Sequence, residues 1–437
     1  MAVRPAIAIG TASPFREVPM KPKLLIPIVA SSTLLLTANP CTAGIRYVGK
    51  NLQSFIDTAK PGDTLRLAVG AFEATPVTFI DSLCGNCQEP KTRHQASYGF
   101  RIKDKSLWIV GAGPDKTVLV TKAGYGVFFD NAAEGGIRGV SITGGIRDTS
   151  GLATDAGIVV RNSRITVENC WIRDNTQYPE SLIVGIGGVM GREGAELYVI
   201  NNKITNNTWD GVALYRGATA TIADNIIHQG RGAGVGITWD ATATVLRNQV
   251  SQFWKGIGSF GATRVICKNN VVYHCLGWGI IATGTSYMDC ANNLIFRNGN
   301  CGFGLWGPDV HGRLTNNVIV LNGWRDEWVC PRVGVWNLGH PLLTPMSYNV
   351  LWENVQGDWR DMPDYTNEFN NVHVDPLWDT LTFVPQPGSP LIDNGNPELT
   401  DPDGTRSDIG IYGGPQAFRK PVPIPRTAPV DTRKKKN

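Results

Sequence analysis

Just ahead of a glycine that returns every 22 or 23 residues (Gly188, Gly211, Gly234, Gly256, Gly279), the chain carries side chains fit for chemistry. They are Trp209-Asp210, Arg231, Trp254-Lys255, His274 with Trp278, and, before an out-of-step Gly302, Asn298 with Asn300. Lys255, His274 and Arg231 are the residue types that abstract a proton and neutralise a carboxylate in an elimination. Asp210 with Glu180, Asp326 or Glu327 could instead supply the carboxylate pair of a glycosidic hydrolysis. Trp209, Trp254, Trp278, Tyr178, Trp324 and Trp328 offer flat faces that stack on sugar rings. The same aromatics could equally stack on one another and seal the turns. His228 and His311 stand singly in turns and read as hydrogen-bonded structure.

The elements that must hold these side chains are set by a second period. Asn202, Asn225, Asn248, Asn270, Asn293 and Asn317 each open the phrase Asn-x-[Ile/Val], in steps of 22 to 24 residues. A self-similar period of this length means a solenoid. Behind each glycine runs an apolar alternation (Val212/Leu214, Val235/Ile237, Ile280/Ala282, Phe303/Leu305), the two-residue period of a strand. Apolar columns also lie three residues before the asparagine (Val199 to Leu314) and two after it (Ile204 to Ile319). Three inward columns imply three sheets. A leucine-rich repeat would show a leucine skeleton and a helical return, whereas here β-branched residues recur. The fold is expected to be all-β, a right-handed single-stranded parallel β-helix of three sheets with about 22–24 residues per coil. The asparagines read as structural, their amides bridging successive coils at the roughly 4.8 Å strand spacing.

The period lengthens to 32 residues at two places, between Cys170 and Asn202 and between Asn317 and Asn349. The additions, Tyr178-Pro179-Glu180-Ser181 and Trp324-Arg325-Asp326-Glu327-Trp328, fall in the turn that leads into the glycine-led sheet. Two such loops would wall a trough whose floor of four coils spans on the order of 20 Å, a few sugar rings. Two residues after each glycine the outward column reads Met190, Ala213, Gly236, Gly258, Ile281 and Gly304, which is bland.

Composition agrees with a turn-rich solenoid: 50 Gly and 27 Pro in 437 residues, with 18% charged. The net charge of +4 gives no footprint for nucleic acid, because the dense basic run Arg433-Lys434-Lys435-Lys436 follows a Pro-rich stretch and reads with it as a disordered tail, 417–437. Residues 1–43 look like an export signal, with the basic head Met20-Lys21-Pro22-Lys23, an apolar stretch from Leu24 to Leu36, and a small-residue site at Cys41-Thr42-Ala43. Met20 is a possible true start. Pro27 breaks the stretch, so no membrane span is expected in the mature chain. Cys84 and Cys87 read as a local disulfide. Cys267 and Cys290 stack on adjacent coils as either thiols or a bridge, Cys275 and Cys301 could pair, Cys170 stands at an asparagine position, and Cys330 lies in an inserted loop. Zinc is disfavoured for want of a second spaced pair.

Ahead of the coils, Leu52, Phe55, Ile56 and Ala59 have helical spacing up to Lys60-Pro61-Gly62-Asp63, so 44–64 is expected to cap the open end of a β-helix over 65–385. Here the run Phe55-Ile-Asp-Thr-Ala-Lys-Pro-Gly-Asp-Thr-Leu-Arg-Leu, then Ser106-Leu-Trp-Ile-Val-Gly-Ala-Gly-Pro-Asp-Lys-Thr-Val-Leu, resembles the opening of secreted pectin-lyase-like β-helix proteins. Residues 386–416, with Ser389-Pro390-Leu391-Ile392-Asp393-Asn394-Gly395 and Asp401-Pro402-Asp403-Gly404-Thr405-Arg406-Ser407-Asp408-Ile409-Gly410, resemble the closing segment of bacterial exported β-helix proteins. Asp401, Asp403 and Asp408 could offer carboxylates to Ca²⁺, or the loop could staple the last coil through Asp and Arg406. The resemblance implies a monomer that is secreted, periplasmic or on the cell surface and acts on polysaccharide as a lyase or glycoside hydrolase. The bland outward column counts against importing a lyase mechanism. The alternative is a non-catalytic carbohydrate-binding, adhesive or structural surface protein.

Overall fold

The computed structural model describes residues 43–177 and 182–423. The export-signal reading of 1–42, the trough residues Tyr178 and Glu180, and the tail from 424 onward lie outside the described residues. The rest forms three sheets of twelve strands each. Sheet I holds the glycine-led strands (Val212–Leu214, Ala233–Trp239, Lys255–Gly261, Trp278–Gly284, Phe303–Trp306). Sheet II holds the strands ahead of the asparagines (Thr219–Ala223, Thr242–Leu246, Arg264–Lys268). Sheet III holds those after them (Ile226–His228, Gln249–Ser251, Val271–Tyr273). Neighbouring strands pair in parallel and in register, as Val212, Val235, Ile257, Ile280 and Phe303 show. The exception is Val77–Asp81, which runs antiparallel to His94–Lys103 at one end of sheet I. The chain is a right-handed parallel β-helix.

The asparagines form a buried ladder between sheets II and III. Asn248 Oδ1 accepts the backbone N–H and the side-chain amide of Asn225, at 3.0 and 2.9 Å. Its Nδ2 donates to Ile222 O at 2.8 Å and to Asn270 Oδ1 at 3.0 Å. The residue before each rung turns the corner in the left-handed region, Asn201, Asp224, Arg247, Asn269, Asn292 and Asn316 having φ between 50 and 59°. That bend strips backbone groups of their ladder partners, and the amides replace them. A second ladder stands at the corner between sheets III and I, where Asn175 meets Asn207 and Asn298 meets Asn322 and then Asn354. Phe253 and Cys275 fill the same place on the coils between, both buried.

At the near end, the helix Leu52–Thr58 lays Leu52 and Ile56 on the open core. Lys105 Nζ donates to the carbonyls of Ile56, Asp57 and Ala59, satisfying acceptors the helix end leaves free. The C-terminal segment does not lie over the last coil. Leu391, Ile409, Ile411 and Val422 run along the outer face of sheet III and pack on Val271, Leu294, Phe296 and Val318. Asn269 and Asn292 donate to its carbonyls at Ile411, Gly413, Asp408 and Gly410. The reason is the sequence of sheet III itself, whose outward residues in these coils are apolar and need cover.

Cys84 and Cys87 form a disulfide, and Cys267 and Cys290 are register partners with free thiols. Cys275 and Cys301 do not pair: Cys275 belongs to the interior core and Cys301 to an apolar cluster outside sheet I.

Candidate functional site

The outer face of sheet I carries three columns, and the bland one is only the middle. One residue before each glycine stand Gly187, Asp210, Ala233, Lys255, Trp278 and Cys301. Four residues after it stand Arg192, Tyr215, Thr238, Phe260, Thr283 and Trp306. Lys255 therefore belongs to a strand, not to the turn that leads into it, and Asp210 lies two residues ahead of one. The middle column leaves room for them. A side chain at Gly258 would meet the Phe260 ring at 2.3 Å, and the Asp210 carboxylate lies 3.8 Å from the corresponding point on Gly236.

Asp210 is buried, with its Oδ1 accepting the backbone N–H of Ala233 at 2.6 Å and its Oδ2 accepting the Tyr215 hydroxyl at 3.4 Å. Burial pushes its carboxyl up to about 6, against the opposing pull of the Ala233 N–H and Lys255. Lys255 is half-buried with its ammonium 5.0 Å from the Phe260 ring centroid. Burial lowers its pKa and Asp210 opposes this. An acid held protonated toward neutrality and, two coils along the same column, an amine pushed toward its neutral form are the two groups that proton transfer needs. The charged side chain whose pull is felt at the Asp210 carboxyl is the Lys255 amine.

Aromatic side chains flank this pair. Trp254 packs edge-on against Trp278 at 5.6 Å and Trp328 at 5.0 Å, and Arg325 lies 5.4 Å from the Trp254 ring. Trp328 is 64% exposed on the inserted loop, where its face is open to a ligand. Trp278 is buried, so it supports the others rather than meeting solvent. Trp209 is half-buried, and Trp324 spends its indole N–H on Arg297 O at 2.8 Å. At the opposite end Arg216 stacks on Trp239 at 4.0 Å and donates to Cys87 O, which ties the disulfide loop 82–93 to the same face. The loop 82–93, absent from the sequence reading of the trough, is thereby fixed at the far edge of this sheet.

Other expected site residues fall elsewhere. His274 is buried, its ring packed on Tyr273 and Phe296 at the edge of sheet III, and burial with Arg297 and His228 lowers its pKa to about 4. It is a turn residue held neutral, away from Lys255. Arg231 is exposed, and Glu327 is exposed with Oε2 accepting from Gln356 at 3.2 Å. Asn298 and Asn300 are buried, Asn298 as a rung of the second ladder. Asp401, Asp403 and Asp408 are not drawn together as ligands: no cluster of three or more His, Cys, Asp or Glu side chains placed to hold a metal occurs among the described residues. Asp401 accepts the N–H of Asp408, Asp403 that of Thr405, and Asp408 that of Asp393. Arg406 donates to Gly395 O at 2.7 Å, so the loop is a turn stapled through its own backbone.

Tyr215, Trp239, Phe260 and Trp306 escaped the sequence reading. For Tyr215, Phe260 and Trp306 the signal was present, since the glycine-plus-four column is one further step of the same two-residue period, whereas Trp239 stands one residue past it.

A family model described as right-handed beta helix region matches residues 187–341. No curated protein sequence matches the chain. Among solved structures, pectate lyase Pel9A is similar with a TM-score of 0.54 and 13% identity, over 84% of this chain and 96% of that one. The mannuronan C-5 epimerase AlgE4 A-module of Azotobacter vinelandii gives 0.39 and 12%, over 74% and 92%. The catalytic unit of a GH87 alpha-1,3-glucanase from Streptomyces thermodiastaticus gives 0.42 and 13%, over 77% and 70%. The likeness to pectate lyase Pel9A bears on fold alone, that of a right-handed parallel β-helix.

Proposed function

We propose that the chain is an exported protein that acts on polysaccharide along the outer face of sheet I, by β-elimination with Lys255 as base and Asp210 as acid. The observation that carries this reading is the buried Asp210 carboxyl and, two coils along the same column, the half-buried Lys255 amine, on a floor cleared by Gly236 and Gly258. In a uronic-acid chain the neutral Lys255 amine takes the proton next to the carboxylate. The C–O bond to the leaving sugar breaks, a C=C bond forms, and the Asp210 carboxyl gives its proton to the departing oxygen. Exposed Arg231 is the residue at this edge suited to meet the substrate carboxylate, and Trp328 with Trp254 supplies a stacking face. A polysaccharide lyase fits this pair better than a glycoside hydrolase, because the charged side chain felt at Asp210 is an amine and not a second carboxylate.

The second reading is a non-catalytic carbohydrate-binding surface protein. Its support is the edge-on packing of Trp254 with Trp278 and Trp328, which makes an aromatic platform without any catalytic group. Residues 44–437, incubated with anionic and neutral polysaccharides and followed by absorbance of unsaturated ends and by a reducing-end assay, separate the readings. Unsaturated product lost in Lys255→Met supports the lyase. Reducing ends without absorbance would sink elimination, and binding without any product would leave the platform alone.

A further inference from the structure

We propose that Cys301 and Cys330 are oxidised to a disulfide that fastens the inserted loop 324–333 across the outer face of sheet I. Cys301 stands in the glycine-minus-one column, outside the coil and fully buried, while Cys330 is 3% exposed. Both belong to one apolar cluster with Trp278, Ile281, Val333 and Trp336. Burial first, and then the neighbouring Cys330 thiol, push the Cys301 thiol well up. The register fixes the meeting point: Gly302 N–H donates to Val333 O at 3.0 Å, so the loop rejoins the sheet directly beside Cys301.

The contrast with Cys267 and Cys290 explains why this pair and not that one. Cys267 and Cys290 are opposed on two rigid strands of sheet II in one inward column, where side-chain vectors run parallel. A disulfide needs its two Cβ atoms to approach at about 3.5–4.5 Å with a crossed geometry, which parallel vectors on fixed strands do not give. Cys330 sits on a loop outside any strand, so its Cβ can turn toward Cys301 at the cost of a side-chain rotation. The pair also encloses what it would hold, since Arg325 and Trp328, both packed on Trp254, lie in the segment that Cys330 ends.

The reaction is thiol–disulfide exchange with a low-molecular-weight or protein disulfide as oxidant. One thiolate attacks the oxidant and releases one equivalent of thiol. The second thiolate then displaces the other, and both protons pass to the released thiols. Two electrons leave the cysteines and reduce one disulfide. Because both sulfurs are buried, exchange follows lifting of the loop and is faster under mild denaturant.

The test uses the full chain equilibrated in glutathione buffers from reducing to oxidising, then denatured, alkylated and mapped by mass spectrometry without reduction. The expected result is a peptide linking Cys301 to Cys330 alongside one containing Cys84–Cys87, with Cys170, Cys267, Cys275 and Cys290 alkylated. Proteolysis within 324–333 should slow by about tenfold on oxidation of the parent chain and not in Cys330→Ser. Oxidation of Cys84 and Cys87 with Cys301 and Cys330 both alkylated would overturn the proposal, as would a link from Cys301 to any other cysteine.

Discussion

At Asp210 two requirements oppose each other: a general acid must hold its proton near neutral pH, and a folded chain must not bury an unpaired charge. Burial raises its pKa from 3.8 to about 6, so the folded state binds the proton more tightly than the unfolded chain. The stability this confers is complete below pH 3.8 and is lost as pH rises through about 6, leaving a cost of about 3 kcal/mol above it. Asp210→Asn should therefore unfold at higher denaturant than the parent at pH 8 and match it near pH 4, by chemical denaturation. It should also lower kcat by about 10²–10⁴ if the residue is the acid. The parent rate should rise with pH to a break near 6, where Asp210 loses its proton as Lys255 gains neutral form, and that break should vanish in Asp210→Asn. Lost stability above pH 6 in the variant would mean that the carboxylate is paired by something other than Lys255.

The elements are held by groups that satisfy backbone and charge where strands turn or end. Asn248→Ala removes the acceptor for the Asn225 N–H and the donor to Ile222 O, leaving two buried backbone groups unpaired. The expected loss is about 2–4 kcal/mol, read as a fall in the denaturation midpoint, and an unchanged midpoint would refute the ladder's role. The loop 82–93 is anchored through Asp81, whose carboxylate accepts from Arg192 at 2.6 Å, Arg161 at 2.7 Å and Tyr125 at 3.0 Å. Burial works to raise the Asp81 pKa, but the two guanidinium groups outweigh it and pull it to about 2. The stabilisation is present above pH 3.8 and lost as pH falls toward 2. Asp81→Asn leaves Arg192 buried with Glu193 as its one remaining ion-pair partner among the described residues, and should cost on the order of 3 kcal/mol at pH 7. The difference from the parent should shrink toward pH 2; a constant difference would point to packing instead.

Across the whole molecule each coil meets its neighbours through pairing and stacking, so the exposed ends and the apolar sides are where it is vulnerable. The helix Leu52–Thr58 covers one end, and the C-terminal segment covers Val271, Leu294 and Phe296 on the side of sheet III. A chain ending at residue 385 should bind a hydrophobic dye and melt about 5–10 °C lower, while far-ultraviolet circular dichroism keeps its strand signal. Retention of the parent melting temperature would show that the segment is dispensable cover. No described helix is long and apolar enough to cross a membrane.

The repeat period by itself determined that the chain coils into three parallel sheets, which residues face inward, and that the asparagines are structural. These follow because a parallel coil stacks residue on equivalent residue, so tertiary contact is written as sequence distance. The same rule placed Lys255 and Asp210 in the turns at one edge of this sheet, and a further step of it would have found Tyr215 and Phe260. Only the tertiary structure decided that Asp81 meets Arg192 across 111 residues, that Arg216 holds the carbonyl of Cys87, and that the C-terminal segment lies on sheet III. Those contacts join segments that do not repeat, so loop closure and local charge set them and no spacing in the sequence records them.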